Sequence, residues 1–98
     1  MAQAIEMVRF TVKPGEEEAL IDGRPGMLLA LSEQHPGMMD ARLAKIDGGI
    51  WLDMIVWERR EMALAAAGDA PRIPAVAGWL SHIAEVLDME HADVVVAA

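Results

Sequence analysis

The stretch Met38–Glu58, MMDARLAKIDGGIWLDMIVWE, decides the fold. Its two runs, Met38–Ile46 and Ile50–Glu58, flank the tripeptide Asp47, Gly48 and Gly49, which supplies the positive backbone angles a tight hairpin needs. The runs are therefore expected to pair antiparallel. The second run alternates strictly. Ile50, Leu52, Met54 and Val56 form one entirely apolar face, expected to meet helices, while Trp51, Asp53, Ile55 and Trp57 form the other.

Toward the N-terminus, Ala4–Val12 (AIEMVRFTV) alternates in the same way, with Glu6, Val8, Phe10 and Val12 on one side, and reads as a strand stopped by Pro14 and Gly15. From Glu16 to Gln34 the positions Leu20, Met27, Leu28 and Leu31 keep a helical spacing, which predicts one helix bent at Pro25. Its acidic start, Glu16, Glu17 and Glu18, suits a helix N-terminus. His35, Pro36 and Gly37 make the turn into the hairpin.

Toward the C-terminus, Arg59–Ala67 predicts a short helix capped at Gly68, and Pro74 can open a second one at its first turn. The second helix would carry Val76, Trp79, Leu80, Ile83 and Leu87 on one side, with a final strand starting around Val86 to Met89 and running into Asp93–Val96. The order β, α, β, β, α in two pieces, β over residues 1–98 predicts one α+β domain. Its fold class is ferredoxin-like βαββαβ: a four-stranded antiparallel sheet with helices on one face.

Such a sheet leaves its other face wet or covered by another molecule. With Trp51, Ile55 and Trp57 on it, that face is too apolar to stay exposed, which predicts a homodimer packed sheet to sheet, a pair of these layers making a dimeric α/β barrel. Arg9 and Asp53 would form a charged pair within the interface. A ligand platform is the rival role for the tryptophans, and an acid–base dyad for Arg9 and Asp53, although an arginine keeps its charge at any working pH.

Composition removes several function classes. Sixteen acidic and eight basic residues give a net charge of −8, which opposes binding to nucleic acid or anionic lipid. Cysteine is absent, so there are no disulfides and no thiolate ligands or nucleophiles, and the cytoplasm is the expected compartment. No apolar run is long enough to span a membrane, and no leader segment is expected. Neither Ser32 nor Ser81 sits in a nucleophile elbow, and no glycine pattern fits a phosphate loop.

Together with this order of elements, the segments AIEMVRFTVKPG, HPGMMDARLAKIDGGIWLDMIVWE and IPAVAGWLSHIAEV resemble the dimeric α/β-barrel superfamily, in its antibiotic-biosynthesis-monooxygenase (ABM) branch. The resemblance implies a homodimer with a small-molecule cavity between sheet and helices in each subunit. It also implies possible chemistry: some members oxidise polycyclic phenols or quinols with O₂ and neither metal nor flavin, and relatives bind and degrade haem. The oxygenases of this branch use Asn and Tyr side chains, and this chain has neither. Haem-degrading relatives place an Asn on the first strand and a His on a late helix, where this chain has Val8 and Val76 or Ala77.

The remaining candidates are individual side chains. Arg42 would anchor an anionic or phenolate oxygen if it pointed toward the helices, its alternative being a salt bridge, and Phe10, Leu31, Met54 and Trp79 would line the same cavity or simply fill a core. His35 is expected at a helix end and His82 on a helix flank. His91 has acidic neighbours, and the spacing of the three histidines does not suit a metal, so no metal or cofactor is expected. The leading function is a dimeric binder of a small apolar or aromatic compound, with cofactor-independent monooxygenase activity as its possible chemistry. A non-catalytic dimerisation or ligand-sensing module is the alternative, and haem binding or degradation stands third.

Overall fold

Strand pairing around Ala4–Val12 (β1) organises the molecule, whose computed structural model describes residues 2–98. β1 is followed by helix Glu17–Gln34 (α1), the hairpin Met38–Ile46 (β2) and Ile50–Trp57 (β3), helices Arg60–Asp69 (α2) and Pro74–Leu80 (α3), and strand Ile83–Asp93 (β4). The strands form one antiparallel sheet in the order β2-β3-β1-β4, the ferredoxin-like βαββαβ arrangement. No helix among the described residues is long and apolar enough to cross a membrane.

The hairpin forms as its tripeptide predicts. Asp47–Gly49 closes a short 3₁₀ turn in which Gly48 and Gly49 take φ of 75° and 78°, angles that a side-chain-bearing residue adopts at a cost. Helix α1 runs unbroken through Pro25, burying Leu20, Arg24, Met27 and Leu31 along one stripe. An arginine in that stripe needs an acid beneath it.

The faces of β3 are exchanged relative to the sequence expectation. Trp51, Asp53, Ile55 and Trp57 are the buried set turned toward the helices, and Ile50, Leu52, Met54 and Val56 lie on the open face. Bulk explains the choice. Both sets are mostly apolar, and the two indoles with Phe10, Leu20 and Trp79 fill the space between sheet and helices better than four aliphatic chains. Trp51, Asp53, Ile55 and Trp57 are thus packed within the protomer and do not face outward.

The expected Arg9–Asp53 pair is absent for the same reason. Arg9 lies on the open face opposite Leu52 and Asp88, and donates to Asp88 Oδ2 at 3.2 Å. Asp53 points the other way.

Two boundaries also move. Helix α2 continues through Gly68 to Asp69 before a 3₁₀ turn at Ala70–Arg72, because Gly68 keeps a helical backbone and caps nothing. Helix α3 stops at Leu80, and the chain turns at Ser81 and His82, where the Lys13 amide donates to the His82 carbonyl at 2.9 Å. β4 therefore starts at Ile83. Ile83 still packs on the core, while Leu87 falls in an irregularity opposite Arg9 and Phe10 and is exposed.

Gly37 takes φ of 107° where the chain enters β2, and a Cβ there would strike the Sδ of Met62 on α2. Gly37→Ala is expected to destabilise the protein by about 1–3 kcal/mol in urea titration. Adding Met62→Ala should relieve the collision and leave the backbone cost.

Candidate functional site

Between the sheet and the helices lies a cavity of about 190 Å³. β1 contributes Glu6, Val8 and Phe10, β3 contributes Asp53 and Ile55, and α1 contributes Met27 and Leu31. Val76 and Trp79 of α3 close one side, and Val86 and Met89 of β4, both about half exposed, form its mouth. The wall is apolar apart from two carboxylates.

Trp79 is held on three sides. Its Nε1 donates to the Leu20 carbonyl at 2.8 Å, the Arg24 guanidinium stands 5.6 Å from its ring centroid, and Phe10 meets it edge to face at 6.0 Å and 73°. An indole fixed in this way presents a constant surface to the cavity.

Asp53 accepts from Arg24 Nη2 at 2.6 Å, both side chains being nine-tenths buried. Burial pushes the Asp53 carboxyl above its ordinary value, against the pull of the Arg24 guanidinium and the Met54 amide. Glu6 stands opposite His91 in the β1–β4 register, and its Oε2 accepts from His91 Nε2 at 3.1 Å. Burial raises the Glu6 carboxyl too, His91 opposes that rise, and the charge of Asp53 adds to it.

Of the cavity residues read from sequence, Phe10, Leu31 and Trp79 line this space. Arg42 and Met54 do not. They sit opposite one another in the β2–β3 register on the open face, where Arg42 is exposed and lies 3.5 Å from Asp40, because strand alternation turns their side chains away from the helices. Sequence reasoning missed Glu6 and Arg24 as site residues, and it set Asp53 on the wrong face. One signal was available: Glu6 shares its strand face with Val8, Phe10 and Val12, and a lone acid on an apolar face marks a buried polar role.

The histidines pair with acids and none lines the cavity. His35 follows the last residue of α1 and binds Asp69 at 2.8 Å. His82, in the turn after α3 and not on a helix flank, binds Glu16 at 2.9 Å. Among the described residues no three His, Asp or Glu side chains converge on a metal-sized site. No histidine stands in the cavity wall to ligate a haem iron.

The raised carboxyls set the sign of a pH effect. Between its ordinary value and its raised folded value, buried Glu6 holds a proton that the unfolded chain has released, so unfolding free energy falls as pH rises through that window. Replacing Glu6 by Gln removes this slope. In urea titrations from about pH 4 to 7, Glu6→Gln is expected to gain stability relative to the parent as pH increases, and parallel curves would refute it.

The sequence matches no protein-family model and no curated protein. Solved structures do match it in fold. A candidate antibiotic biosynthesis monooxygenase from Bordetella bronchiseptica aligns over 98% of this chain and 100% of its own, with TM-score 0.75 and 16% identity. SnoaB, a cofactor-independent oxygenase from Streptomyces nogalater, aligns over 100% and 96%, with TM-score 0.68 and 16% identity. MupZ from Pseudomonas fluorescens aligns over 93% and 71%, with TM-score 0.70 and 15% identity. At such identities the likeness concerns the backbone arrangement, and the chain has the fold of these antibiotic-biosynthesis-monooxygenase structures.

Proposed function

We propose that the chain is a homodimeric small-molecule-binding protein that oxidises a phenol- or quinol-type aromatic compound with O₂, using no metal or flavin. The observation that carries this reading is the apolar cavity with a fixed indole on one side and an acid, Glu6, in its wall. The fold shared with SnoaB, a cofactor-independent oxygenase, supports the chemistry. In the simplest balanced reaction a phenol ring exchanges a C–H for a C=O and becomes a quinone. One oxygen atom enters the ring, the other leaves as water, and the phenol supplies all four electrons. Glu6 accepts the phenolic proton, and His91 behind it holds the carboxylate in place.

Two measurements test the reading. Aromatic compounds are expected to perturb Trp79 fluorescence and, for a turned-over phenol, to consume one O₂ per quinone formed. Glu6→Gln should lower that rate by about 10²–10⁴. Absence of both the fluorescence change and oxygen uptake across a panel of phenols and quinols would overturn it.

The homodimer rests on the open sheet face. Ile5 and Met7 of β1 and Leu52, Met54 and Val56 of β3 lie there partly exposed, with the Arg9–Asp88 and Arg42–Asp40 pairs beside them. A two-fold axis would set this patch against its own copy and remove it from water. Leu52→Asp is expected to yield a monomer in sedimentation at micromolar concentration. Trp51 and Trp57 should stay shielded from acrylamide in that monomer, because they are 6% and 0% exposed within the protomer.

A further inference from the structure

The ionisable groups in the cavity wall are both acids, and the basic side chains that hold them stand outside it, Arg24 with its Nη1 buried and unpartnered. Arg24 Nη2 holds Asp53 Oδ1 and His91 Nε2 holds Glu6 Oε2, with neither Arg24 nor His91 lining the space. That leaves the second Glu6 oxygen. Oε1 makes no hydrogen bond among the described residues, although Glu6 is only 8% exposed and borders the cavity. An acceptor in an otherwise apolar wall gains most from a donor brought by a ligand.

Volume narrows the ligand further. A cavity of about 150 Å³ lined by aliphatic and aromatic side chains holds benzene, whereas drug-sized ligands occupy about 300 Å³ or more. At about 190 Å³ this one suits a single ring with a small substituent. An anionic substituent would face the charges of Glu6 and Asp53 at low dielectric, with no free cation in the wall to meet it.

We propose that the cavity selects an uncharged single-ring compound carrying a hydroxyl or N–H donor, which Glu6 Oε1 accepts, and rejects rings of the same size that lack the donor or carry an anion. The inference rests on the reading of the cavity as a ligand site and specifies what that site accepts. Phenol, toluene and benzoate separate the cases. They share one ring, and phenol is neutral at pH 7.5, whereas benzoate is charged.

Isothermal titration of the full chain with each compound at pH 7.5 tests it. Phenol is expected to bind at least tenfold more tightly than toluene, against the order of their hydrophobicity, and benzoate should give no measurable heat. Glu6→Leu should remove the preference, so that toluene binds as well as phenol or better. Glu6→Gln, which keeps an acceptor oxygen without the charge, should retain the preference for phenol and admit benzoate. Equal binding of phenol and toluene by the parent chain, or benzoate binding as tightly as phenol, would overturn this selectivity while leaving the cavity a ligand site. Failure of all three to bind would overturn the ligand-site reading as well.

Discussion

The Arg24–Asp53 pair, closed at 2.6 Å beneath the ring of Trp79, is the constraint on which the rest of the structure depends. Two charges taken out of water are tolerable only when each meets the other with good geometry. An arginine in the buried stripe of α1 and an aspartate on β3 can meet only if the aspartate's strand face turns toward the helix. That requirement carries Trp51, Ile55 and Trp57 inward with Asp53, because alternate residues of a strand share a face. The same turn leaves the aliphatic set of β3, Ile50, Leu52, Met54 and Val56, on the open face.

The pair also shapes the cavity. Asp53 is compensated from behind by Arg24, and Glu6 by His91, so the wall presents acceptors without a free positive charge. Burial raises both carboxyls above their ordinary values, Asp53 against the pull of Arg24 and Glu6 against that of His91. The three members of the Trp79 contact, a backbone carbonyl, a guanidinium and a phenyl edge, come from α1 and β1. Ligand-facing geometry and core packing are therefore the same set of interactions, and a change in one disturbs the other.

Much of the architecture was legible along the chain. Asp47-Gly48-Gly49 between two alternating runs marks a hairpin, Pro74 marks a helix start, and the spacing of Leu20, Met27 and Leu31 marks a helix, because each signal is local in the backbone. The start of β4 was not legible. Ile83 and Leu87 continue a helical spacing from Val76 and Trp79, and only the pairing of the Lys13 amide with the His82 carbonyl ends the helix in time. Of the site, the apolar residues Phe10, Leu31 and Trp79 could be named from periodicity, but the polar ones could not. Glu6 and His91 are 85 positions apart in the chain and become neighbours only through the β1–β4 register.

By itself, then, the sequence determined which segments are strands and helices, the order in which they follow, and that both faces of the hairpin's second strand are largely apolar. Tertiary structure alone decided which of the two turns toward the helices. Both faces of β3 are apolar enough to serve as core, so hydrophobic patterning has no preference between them. The choice belongs to contacts distant in sequence: an arginine of α1 that needs an acid, and the two indoles of β3 that pack with Phe10, Leu20 and Trp79 beneath the helices.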